Sequence, residues 1–109
     1  KDLKVENVSV QQDTIAGEFR NSCDLVLISK PTFIIMDAKG AAVDRGEIKE
    51  FYLPPEKQIP FKIKVSDKIP QGNYNIELNF SFFGRGALIK ELAFSKDETG
   101  QIKLLKVEE

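Results

Sequence analysis

Along Tyr74, Ile76, Leu78, Phe80 and Phe82 the apolar positions alternate with Asn75, Glu77, Asn79 and Ser81. A period of two leaves one side of an extended chain apolar and the other wet, which predicts a strand with one buried face. Gly84-Arg85-Gly86 then turns the chain, and Ala87 to Phe94 runs back beside it. Pro70 to Phe94 therefore reads as a β-hairpin, and the other segments read as its partners. In the return strand Leu88, Leu92 and Phe94 share a phase into which Lys90 also falls. A bulge at Lys90-Glu91 that turns Ile89 inward is the expected remedy.

The rest of the chain has the same grain. Leu3, Val5, Val8 and Val10 lie at extended spacing with a phase change between Val5 and Val8, so the first strand is expected to bulge near Glu6-Asn7. Ile15, Gly17 and Phe19 mark one face of a strand over Thr14 to Arg20. Leu25 to Met36 is apolar on both faces and reads as a mid-sheet element, with a bulge or an edge exit where Ser29-Lys30-Pro31 interrupts it. Ala41 to Asp44 and Glu47 to Leu53 are short strands. Ile59, Phe61, Ile63 and Val65 alternate with Lys62 and Lys64, and Pro60, lacking an amide proton, puts that strand at an edge. Ser95 to Gly100 is a hairpin loop before a last strand, Gln101 to Val107.

No segment holds a 3.6-residue period with caps. Strands of about six residues separated by turn signals every 8–12 or so predict an all-β sandwich of about seven to eight antiparallel strands, with almost no helix.

The turns carry a resemblance. Asp37-Ala38-Lys39-Gly40 follows a buried strand, Tyr52-Leu53-Pro54-Pro55-Glu56 precedes another, and Lys68-Ile69-Pro70-Gln71-Gly72-Asn73-Tyr74 makes a corner. Between roughly Thr14 and Phe94 these resemble the D-x-x-G, L-P-P-G and L-P-x-G-x-Y punctuation of immunoglobulin-like β-sandwich domains in bacterial envelope proteins, including those similar to periplasmic pilus-assembly chaperones. Glu56 stands where that pattern has glycine. The resemblance implies an immunoglobulin-like fold, a periplasmic or cell-surface setting, and a structural, protein-binding or assembly role. It also implies a tyrosine corner at Tyr74, whose hydroxyl would bond back to nearby backbone. The basic residues with which pilus chaperones anchor a subunit's C-terminal carboxylate cannot be placed here by motif. A chaperone-like fold is implied; chaperone chemistry is not.

Composition narrows the choice of chemistry. The 109 residues suit one domain over 1–109, and the start at Lys1 reads as a trimmed mature chain or a domain excised from a longer one. With 41% apolar and 30% charged residues the chain is expected to be globular. Its net charge of −1 comes from interleaved signs, so no nucleic-acid footprint is expected. No apolar run approaches the ~20 residues of a membrane-spanning helix. There is no histidine, which removes the commonest general base and zinc ligand. The single cysteine, Cys23, excludes an internal disulfide, and beside Asp24 it reads as a structural thiol. Glu47 and Glu50, three apart, would face opposite sides of a strand. Asp37-Ala38-Lys39-Gly40 and Asp97-Glu98-Thr99-Gly100 lack the alternating acidic ligands of a calcium loop and read as turns. Gly84-Arg85-Gly86 has no following helix or lysine-serine pair and is no phosphate loop. Asn7-Val8-Ser9 and Asn79-Phe80-Ser81 match the glycosylation triplet but sit inside expected strands. No cofactor or metal is expected.

What remains is a surface. Phe83 falls on the outer face at the mouth of the hairpin turn, beside Arg85, the composition of a protein-binding hot spot. The competing reading packs Phe83 under a neighbouring loop or terminus. Exposed sheet edges offer a second route, by strand addition. The expectation is a non-enzymatic structural or protein–protein interaction module of a bacterial cell-envelope protein. Its partner would be another protein or neighbouring domains of the same polypeptide. The alternative is a carbohydrate- or small-ligand-binding sandwich module, which wants planar aromatics on an open face. This chain has no tryptophan, and most of its aromatics fall in core phase. A carboxylate-only enzyme would need a pocket with two convergent carboxylates and a raised pKa.

Overall fold

The computed structural model describes residues 3–84 and 86–108. Among them there is no helix, and so none long and apolar enough to cross a membrane. Ten strands run in order: β1 (Leu3–Gln11), β2 (Thr14–Asn21), β3 (Leu27–Ser29), β4 (Thr32–Met36), β5 (Ala42–Glu47), β6 (Phe51–Leu53), β7 (Gln58–Lys64), β8 (Gly72–Phe82), β9 (Gly86–Lys96) and β10 (Ile102–Val107). The three-stranded sheet has the order β1-β2-β7. In the seven-stranded sheet β8 lies between β9 on one side and both β3 and β4 on the other; β10 flanks β9, while β6 and β5 flank β3 and β4. All pairings are antiparallel.

The strand count exceeds the expected seven to eight because two lines of the larger sheet are each broken in the middle. Ser29 faces Phe82 and Thr32 faces Asn79, so β3 and β4 keep one register along β8 across Lys30-Pro31. Proline cannot donate to a ladder, but its carbonyl still accepts from the Ile48 amide at 2.9 Å. The interruption therefore costs hydrogen bonds without shifting the strand. The bulge expected there sits one strand over, where Ile48, Lys49 and Glu50 span the gap opposite Lys30 and Pro31.

The sheets meet on a ring cluster. Phe19 of the small sheet lies 4.3 Å from Phe61 beside it, and across the gap 5.0 Å from Phe80 and 5.9 Å from Phe51. Val5, Ile15 and Ile63 on one side and Leu27, Ile35, Leu53, Ile76, Leu78, Leu92 and Phe94 on the other complete the core. The expected bulge in β1 is present: Glu6 pairs Glu18, Ser9 pairs Ala16, and Asn7 takes φ 54°. Gly17 lies beside it because a Cβ there would stand 2.9 Å from the Phe61 ring and 3.0 Å from the Glu6 carbonyl oxygen.

A second bulge is not where the alternation put it. The β8–β9 register runs unbroken from Gly72 opposite Lys96 to Phe82 opposite Gly86. Lys90 therefore points inward, half-buried and opposite Leu78, while Ile89 is half-exposed on the outer face. The ladder with β10 ends at Leu92 opposite Val107, the Glu108 amide still donates to the Glu91 carbonyl at 2.9 Å, and at Lys90 β9 has no partner strand on that side among the described residues. A lysine at such a position can bury its aliphatic stem while keeping its ammonium in water. The bulge is in β10 itself, between Leu104 and Lys106.

Four edges are thus interrupted: β1 by Asn7-Val8, β7 by Pro60, the β5–β6 line by Ile48–Glu50, and β10 by Leu105, while residues 86–90 of β9 keep an unbroken ladder to β8. Such interruptions deny a stranger a straight ladder.

Candidate functional site

In β6 the alternation Phe51-Tyr52-Leu53 buries the outer two residues and sends Tyr52 to the opposite face. In β3 Leu27-Ile28-Ser29 does the same with Ile28, which pairs directly with Tyr52. On the other side of Ile28, the Phe83 amide donates to the Ile28 carbonyl at 3.3 Å. Tyr52, Ile28 and Phe83 therefore form one row across β6, β3 and the end of β8, on the outer face of the larger sheet. Their exposures are 65%, 38% and 87%. At 87% exposure Phe83 is not covered by any loop of the described residues. Arg85, expected beside it, lies outside the described residues.

Neighbouring strand spacing is about 4.8 Å, so the row places two aromatic side chains about two strands apart with an aliphatic one between them. Lys30, Glu50 and Ser81 border it, with Ile28, Ser29 and Phe83, around a shallow depression. The Lys30 ammonium stands 4.0 Å from Glu47, an exposed pair that contributes little. The row itself offers apolar and ring-face contact, with the charged Lys30 and Glu50 at its border.

Tyr52 and Ile28 were not singled out from the sequence. The phase of Phe51-Tyr52-Leu53 was a usable signal for Tyr52. Ile28 lay in a run apolar on both faces, where phase says nothing about exposure.

The other candidate groups are engaged in structure. Asn21 is buried at the end of β2; its amide donates to the carbonyls of Leu25 at 2.7 Å and Leu53 at 2.9 Å. Its side-chain oxygen accepts from the Cys23 amide and thiol, both at 2.9 Å. Cys23 is a half-buried thiol holding that knot together. Asp37 Oδ1 accepts from the Lys39 and Ala41 amides. Asp97 Oδ1 accepts from the Thr99 hydroxyl and from the Thr99 and Gln101 amides. The Thr99 hydroxyl, followed by the Gln101 amide, holds the Asp97 carboxyl below its ordinary range. That shift is opposite to what a general acid needs. Asp13, Asp67, Asp97 and Glu98 line a depression at the other end of the molecule, but its Lys96 ammonium donates to the carbonyls of Ile69 at 2.8 Å and Ser66 at 3.3 Å. Among the described residues no group of three or more histidine, cysteine or acidic side chains is placed to hold a metal ion. Asn7 donates its side-chain amide to Glu18 at 2.6 Å.

Neither a scan against protein-family models nor a search of curated proteins returns a match to this chain.

Proposed function

We propose that this chain is a non-enzymatic, immunoglobulin-like module of a bacterial cell-envelope protein, periplasmic or at the cell surface, that holds another protein or a neighbouring domain. The observation that carries the binding role is the row Tyr52, Ile28 and Phe83. Exposed aromatics grouped on a sheet face are the composition of an interface core. The interruptions of β1, β7, β10 and the β5–β6 line weigh against strand addition at those four edges.

Two features support the immunoglobulin-like reading. Strands β1, β2 and β7 against β3/β4, β8 and β9 follow the A-B-E against C-F-G arrangement of such sandwiches. The Tyr74 hydroxyl also donates to the Pro70 carbonyl at the corner entering β8, as in a tyrosine corner. The line β5–β6 would be a strand beside C, and β10 an addition beyond G. The envelope setting rests on the resemblance of the turn motifs.

The test is capture from a bacterial envelope extract by wild type and by a Tyr52→Ser, Phe83→Ser variant of equal thermal stability. A partner retained by the wild type and lost by the variant supports the proposal; equal capture by both overturns the assignment of the row. A second reading has an observation of its own. Tyr52 adds a second exposed ring to the face, as a carbohydrate-binding module requires. Glycan-array binding by the wild type, abolished in the same variant and unaccompanied by protein capture, would establish it in place of the first.

A further inference from the structure

We draw no further inference here: the strongest candidate, the groove between β6 and β7 above Phe19, Phe51 and Phe61, carries none because those rings are already buried in the core and nothing in the structure shows what covers it.

Discussion

The phenolic hydroxyl of Tyr74 donates to the carbonyl of Pro70 at 2.5 Å, tying the first strand turn of β8 to the loop that leads into it. The ring is 4% exposed and stacks on Phe94 at 5.3 Å, so one side chain serves both the core and the corner. Tyr74→Phe keeps the ring and removes the hydrogen bond to a carbonyl on an exposed residue, and should cost about 0.5–1.5 kcal/mol in urea unfolding. An unchanged midpoint would mean the corner is held by packing alone.

The same residue sets an alkaline limit. Burial, and then the nearby Asp37 charge, raise the Tyr74 pKa above its ordinary value. The unfolded tyrosine ionises near pH ~10, below the folded one. The contribution is therefore whole below that pH and is lost as pH rises from there through the folded pKa. Wild type should lose more stability than Tyr74→Phe between pH 9 and 11 or so, as read from paired urea midpoints.

Glu56 occupies a position that suits glycine. The Lys57 amide donates to the Pro54 carbonyl at 3.2 Å, closing a turn in which Glu56 takes φ 66°. An L-residue pays roughly 1–2 kcal/mol for left-handed backbone. The Arg20–Glu56 contact, 3.9 Å and largely exposed, returns only a small part of that. Glu56→Gly should therefore raise stability by about 1 kcal/mol, seen as a higher melting temperature. A lower one would show that the ion pair outweighs the backbone.

Ser29 faces the core at 3% exposure with its hydroxyl unpaired among the described residues. An orphaned buried hydroxyl costs about 1–3 kcal/mol, so Ser29→Ala should be neutral to stabilising by about 1 kcal/mol. Destabilisation would point to an ordered water bound to the hydroxyl.

Much of the fold was legible because its signals are local. The alternation from Tyr74 to Phe82, the phase change at Glu6-Asn7, the edge proline at Pro60 and the corner at Tyr74 each depend on residues close in sequence. Two features were not. Lys90 breaks the pattern only if every inward position is covered, and coverage there depends on where β10 stops. Pro31 leaves the register intact because β8 holds both halves of the broken strand, a long-range fact. The site divides the same way. The exposure of Phe83 follows from its own strand's phase, whereas its alignment with Ile28 and Tyr52 needs the pairing of β3 with both β6 and β8.

The most direct test of the row replaces Phe83 or Tyr52 in turn with a photo-reactive benzoylphenylalanine, with Lys62, on the outer face of the smaller sheet, as the control position. After irradiation in a bacterial envelope extract, positions 83 and 52 should give adducts with the same protein and position 62 none. Adducts confined to position 62, or different proteins at 83 and 52, would contradict the row as a single contact surface.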